Sequence, residues 1–191
     1  DLAADNSTGH VDIPKLKQGA VDLQVFACFV GPPRKREDTL TAANSTVIFD
    51  GTTTLTALAS HAFNNIQVGS AVAGGSLSVA NVLDINGNLT AGTIGTTSLD
   101  VVGSTINAAG DIDLSNMDTY TGGGSTFIFD GMSILTTNNN TFIDIQIGSA
   151  TSGGSLTLAG DLDIDGSLTV NAVDTTIFDV TGRTVNAAGN I

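Results

Sequence analysis

The stretch GGSLSVANVLDINGNLT, residues 74–90, is a run of apolar-x-apolar triplets punctuated by Gly and Asn. In Leu77-Ser78-Val79, Leu83-Asp84-Ile85 and Leu89-Thr90-Ala91, alternation of period two puts two apolar side chains on one side of an extended chain and a polar one on the other. The intervening Gly, Asn and Asp supply tight turns. The triplets return as Leu99-Asp100-Val101, Ile106-Asn107-Ala108 and Ile112-Asp113-Leu114, at spacings of 22, 23 and 23. Three short strands per coil, with coils recurring at that spacing, predict an all-β repeat protein built as a three-sided parallel β-solenoid. Each coil buries its triplets on those of its neighbours.

The same stretch occurs twice. GGSLTLAGDLDIDGSLT, residues 153–169, matches it, and residues 63–112 align without gaps on 142–191 with 28 of 50 positions identical. STVIFDG at Ser45–Gly51 likewise recurs as STFIFDG at Ser125–Gly131. The expected organisation is an N-terminal segment, residues 1–38, a first copy, 39–121, and a second copy, 122–191, that stops short of its whole pattern. The pattern is expected to continue in a longer parent chain or in a neighbouring subunit. Gly122-Gly123-Gly124 reads as a flexible joint between the copies. The offset from Phe63 to its equivalent Phe142 is not a whole number of such coils. A tandem β-sandwich, one sandwich per copy, therefore stands as the alternative fold.

Composition narrows the function. The formal net charge is -13, and the cations are segregated: Lys15, Lys17, Arg34, Lys35 and Arg36 lie near the start, and Arg183 is the only other one. From Thr39 onward there are 13 Asp and no Glu, so the body is anionic throughout and repels a phosphate backbone; no nucleic-acid partner is expected. The single cysteine, Cys28, excludes an intrachain disulfide framework. The longest apolar run, VFACFVG, is far shorter than the roughly 20 residues a membrane-spanning helix needs, so no transmembrane segment is expected.

Candidate sites are few. Asp161, Asp163 and Asp165 in GDLDIDG have the spacing that opens a calcium loop, but the position for its bidentate Glu is Ala172. The competing reading is a strand with Leu162 and Ile164 inward and the carboxylates outward, and no cofactor is expected beyond this possible calcium. The recurring pairs Asn107/Asn186, Asp84/Asp163 and Asp100/Asp179 fit a structural role, satisfying backbone groups between coils. His10 and His61 lack the ligand company of a metal or nucleophile site. A carbohydrate-binding face lacks an aromatic platform, since Tyr120 is the only Tyr and Trp is absent.

The front segment differs from the body. TGHVDIPKLKQGAVDLQVFACFVGPP, residues 8–33, resembles a stretch near the amino end of the membrane dipeptidase family through Gly9, His10, Asp12, Ile13, Pro14, Leu16, Gly19, Gln24 and Phe26. That resemblance implies a metal-dependent barrel hydrolase with two zinc ions held by several His and a bridging Glu. The chain has two His and one Glu, Glu37, and a barrel of this kind takes about 250 residues, so no catalytic residue carries over. Residues 45–191 instead resemble bacterial extracellular β-repeat surface and fibre proteins.

Two functions follow as expectations. The first is a non-catalytic extracellular structural protein, part of a surface fibre, filament or adhesin attached to the cell surface. It would associate with itself head to tail through strand edges or ends. Val21, Leu23, Val25, Phe26 and Phe29 are the candidate self-association residues, on a strand that either caps its own chain or is donated to a neighbour. The alternative is a fragment of a zinc-dependent, membrane-dipeptidase-like hydrolase.

Overall fold

The computed structural model of the chain describes residues 45–58 and 61–191. All regular structure among them is β, and every strand pairing is parallel. The chain winds as a three-sided β-solenoid. A tandem sandwich, built on antiparallel neighbours, is excluded by that pairing.

The first face is a seven-stranded sheet of β1 (Thr46–Phe49), β4 (Asn65–Val68), β6 (Leu89–Ala91), β9 (Ile112–Asp113), β12 (Met132–Thr136), β15 (Ser155–Leu158) and β18 (Ile177–Asp179), which gives six turns from β1 to β18. The second face carries β2 (Thr52–Ala57), the first half of β5 (Gly75–Ile85), β7 (Thr97–Asp100) and β10 (Thr119–Thr121). In later coils β13 (Thr141–Phe142), β16 (Leu162–Ile164) and β19 (Val185–Ala187) occupy that place in the chain order. The third face carries β3 (Ala62–Phe63), the second half of β5, β8 (Thr105–Ala108), β11 (Thr126–Phe129), β14 (Asp144–Ile147) and β17 (Leu168–Val170). Strand β5 rounds the corner between two faces at Asn81, whose φ of 75° is tolerated because a short amide side chain fits the left-handed region. The second copy has Gly160 there, and its strand is interrupted into β15 and β16.

The predicted triplets supply the core. Ile66, Leu89, Ile112, Leu135 and Leu158 stack in register up the first face. Leu83, Ile106, Phe127, Ile145 and Leu168 do so on the third. All ten are buried in one continuous cluster that crosses from the first copy to the second. Like stacks on like because neighbouring coils present the same position about 4.8 Å apart, so side chains of similar shape fill the interior without voids. The interior also takes Ser70, Thr97, Ser104, Ser125, Ser133 and Thr137, and all of these buried polar residues are hydroxyl-bearing.

Register explains the fractional offset between the copies. Coils on the first face keep one length through Ile66, Leu89, Ile112, Leu135 and Leu158. The coil that opens each copy is shorter, running from Thr46 only to Asn65 in the first and from Thr126 only to Asp144 in the second. From β1 the chain returns to the first face at β4, β6 and β9, then crosses β10 and reaches β11 on the third face. The repeat is therefore three and two-thirds turns, and the second copy sits one face round from the first. The three faces are close enough in shape for the same sequence to fold on any of them. Left-handed backbone recurs at the matched positions Gly69/Gly148, Gly95/Asp174 and Gly103/Gly182 despite the change of face.

Gly122–Gly124, expected as a joint, is a corner of the solenoid. The Gly122 carbonyl accepts from the Ser125 amide at 2.9 Å and its hydroxyl at 2.6 Å, and the Gly123 carbonyl accepts from the Gly103 amide of the coil beneath at 2.9 Å. The copies share a core across this corner and are not beads on a string.

Candidate functional site

The sequence-derived residues divide by face. Asp163 lies outward on β16, with Asp161 and Asp165 flanking that short strand. On an extended chain, residues two apart are about 6.6 Å apart along a line, so the carboxylates form a row along the surface and do not encircle an ion. Two of them already have partners: Asp161 accepts from the Thr184 amide at 2.9 Å, and Asp163 accepts from the Thr141 hydroxyl at 3.0 Å and the Asn186 side-chain amide at 2.7 Å. Among the described residues no group of three or more His, Cys, Asp or Glu is placed to hold a metal ion. A shallow groove runs beside this row, lined by Asn139, Asn140, Asp161, Asp163, Thr184 and Asn186.

The paired residues behave differently from one another. Asp84 and Asn107 are neighbours up the third face, and Asp163 and Asn186 up the second. Burial, and secondarily the nearby Asp130 carboxylate, holds Asp84 above the usual carboxylate range; burial also raises Asp130, partly offset by a backbone hydrogen bond. Asp100 and Asp179 instead make local turns, accepting from the amides of Val102 at 3.1 Å and Thr181 at 2.9 Å. Asp179 also accepts from the Thr181 hydroxyl, and these bonds hold its carboxyl below the usual range.

The residues that bond coil to coil at a corner are others. Asn65 Oδ1 accepts from the Asn88 amide at 2.8 Å, Asn88 Oδ1 from the Asp111 amide at 3.0 Å, and Asp111 Oδ1 from the Ile134 amide at 2.8 Å. The second copy repeats this with Asp144 Oδ1 and the Ser167 amide at 2.7 Å. The signal was present in sequence as an Asn or Asp directly before the apolar residues Ile66, Leu89, Ile112 and Ile145. These side chains pair backbone N–H groups that the corner would otherwise leave to water.

Tyr120 is not a platform for sugars. Its ring packs inward against Phe142 and Phe127, at centroid distances of 5.3 and 6.4 Å, and its hydroxyl is buried without a hydrogen-bond partner. Burial pushes the phenol up to about 12; the nearby Ser125 hydroxyl offsets little of this, because it donates to the Gly122 carbonyl at 2.6 Å and not to the phenol. Tyr120→Phe should therefore raise stability by about 1 kcal/mol, since it removes an unpaired buried polar group. The wild type should also lose stability as pH rises from about 10 towards 12, because the unfolded phenol ionises first there, and the Phe variant should not share that loss. Urea midpoints for the two proteins at mildly and strongly alkaline pH measure both effects.

Several apolar residues of the last described coil are exposed. Val180 is 36% exposed and Ile191 87%, whereas their first-copy counterparts Val101 and Ile112 are 1% and 0% exposed. Val170 is also exposed, and Phe178, Val185 and Ala187 are only partly buried. In the first described coil, Val47, Phe49, Leu55 and Phe63 are half-buried where their counterparts Phe127, Phe129, Leu135 and Phe142 are fully enclosed. The expected self-association residues Val21, Leu23, Val25, Phe26 and Phe29, the dipeptidase-like string and His10 lie outside the described residues. His61 stands at a corner of the first coil with Nε2 buried and no hydrogen-bond partner.

Comparison with known families, with curated proteins and with solved structures finds no match to this chain. The fold defines the class: a three-sided parallel β-solenoid built from a tandem repeat. No helix among the described residues is long and apolar enough to cross a membrane.

Proposed function

We propose that the protein is a non-catalytic structural subunit of an extracellular fibre or filament, displayed at a cell surface and assembled from copies of itself. The observation that carries this reading is the seam between the two repeats, where one copy stacks in register on the end of the other and the core runs through without a break. A unit that adds to its own kind in this way, through the edges of parallel strands, extends into a rod. The fully buried polar residues among those described, all Ser or Thr, and side walls whose carboxylates already bond to the next coil suit a strut better than a reaction centre.

Negative-stain electron microscopy of the full chain at neutral pH, alongside sedimentation velocity over a wide concentration range, tests the proposal. Unbranched rods that lengthen with concentration are expected. A single monomeric species at every concentration would remove the fibre reading.

A further inference from the structure

Resting on that reading, we infer that the surface over the last coil is a docking site for the first coil of a second copy of this chain, and that the register of the joint is already written inside the molecule. The template is the junction between the two internal repeats. There β11, the start of the second copy, lies on β8, near the end of the first, with Thr126 opposite Thr105, Phe127 opposite Ile106, Ile128 opposite Asn107 and Phe129 opposite Ala108. Leu135 then covers Ile112.

Both halves of this junction occur a second time in the sequence. TVNA at Thr184–Ala187 repeats TINA at Thr105–Ala108, and TVIF at Thr46–Phe49 repeats TFIF at Thr126–Phe129. The match at the start runs further in sequence: DTLTAANSTVIFDG, residues 38–51, and DTYTGGGSTFIFDG, residues 118–131, agree at nine of fourteen positions. Among the described residues, β1 and β2 pair with a neighbouring strand on one edge only, and so do β17, β18 and β19. Placing β1 of one copy on β19 of the next sets Val47 over Val185, Ile48 beside Asn186 on the outside, and Phe49 over Ala187. Leu55 then covers Ile191 as Leu135 covers Ile112. The interface buries the residues that are exposed on one coil and half-buried on the other, using contacts that the sequence already makes at its internal seam.

The joint has a defined geometry. Two repeats of three and two-thirds turns span seven and one-third turns, so each added copy is rotated by one face about the axis. At about 4.8 Å per coil it advances the filament by roughly 35 Å. A rotated head-to-tail contact that also advances along the axis does not close into a ring, so the product is an open fibre.

Paired cysteines read this register directly. In a Cys28→Ser background, Asn107→Cys with Ile128→Cys is the internal control, since adjacent parallel strands bring outward Cα atoms about 4.8 Å apart, within disulfide range. Ile48→Cys with Asn186→Cys tests the docked ends, which within one chain lie roughly 30 Å apart, more than six coils, and so cannot close internally. On mild oxidation with diamide, the control should close at monomer mass. The test pair should give a reductant-sensitive ladder of dimer, trimer and higher species on non-reducing gels, and averaged filament images should show the axial step of about 35 Å. A test pair that stays monomeric while the control closes overturns the inference. Filaments without the ladder would leave the fibre reading standing and move the contact to another surface; if they also vanish on removal of residues 1–38, that surface belongs to the opening segment. Absence of both filaments and ladder would remove the inference and the fibre reading together.

Discussion

Replacing Phe127 by Ala should lower the stability of the solenoid by about 4 kcal/mol, the middle of the range for loss of a buried ring. Phe127 is fully buried on β11 where the two copies meet, and its ring sits 5.1 Å from that of Phe142 in an edge-to-face arrangement and 6.4 Å from those of Tyr120 and Phe129. Most of the interior is aliphatic and stacks in like-on-like columns, so a neighbour can shift by a methyl group. Phe127 stacks between Ile106 and Ile145, but three rigid rings stand beside it, and on that side the cavity made by Ala has walls that collapse into it only in part. Phe127→Leu should recover more than half the loss. Guanidinium unfolding followed by circular dichroism checks this, with the outward-facing Ile134→Ala as the reference. Since coils can unfold in blocks, a split transition in Phe127→Ala would locate the weakened seam between the copies.

Gly154→Ala should cost about 3 kcal/mol, although it adds only one methyl group. The Gly148 amide donates to the Phe129 carbonyl of the coil beneath at 2.7 Å, and a Cβ on Gly154 would overlap that carbonyl oxygen and come within 2.8 Å of the amide nitrogen. The φ of Gly154 is not left-handed, so space between backbones, and not backbone strain, sets the penalty. Gly75 stands in the same relation to the Gly69 amide and the Phe49 carbonyl of the first copy. Gly75→Ala should lose a comparable amount, and Gly103→Ala, with open space around its Cβ but a φ of 66°, distinctly less. Thermal melts of the three variants rank them, and equal losses at Gly103 and Gly154 would refute the space argument.

Much of this architecture was legible because its causes are local. Alternation in Leu77-Ser78-Val79 and Leu83-Asp84-Ile85 predicts two inward faces, and β5 buries Leu77, Val79, Leu83 and Ile85 as that alternation requires. The coil-bonding column Asn65, Asn88 and Asp111 was missed in favour of Asn107 and Asp100. Their place directly before an apolar residue is visible in the sequence, but which of several repeating polar residues faces a free amide of the next coil depends on the corner's path, so that neighbour alone does not single them out.

Strands, their inward and outward sides, the length of an ordinary coil and the anionic surface can all be read from the residues alone, because period-two patterning, turn chemistry and charge act within a few positions. Three features needed the folded chain: where each copy begins on the triangle, that the step from Phe63 to Phe142 makes three and two-thirds turns, and which apolar residues of the described coils are enclosed and which are exposed. The cause is the near-equivalence of the three faces. A given triplet is equally content on any of them, so its place is fixed by the summed lengths of all the coils beneath it, including the short coils from Thr46 to Asn65 and from Thr126 to Asp144 that open each copy.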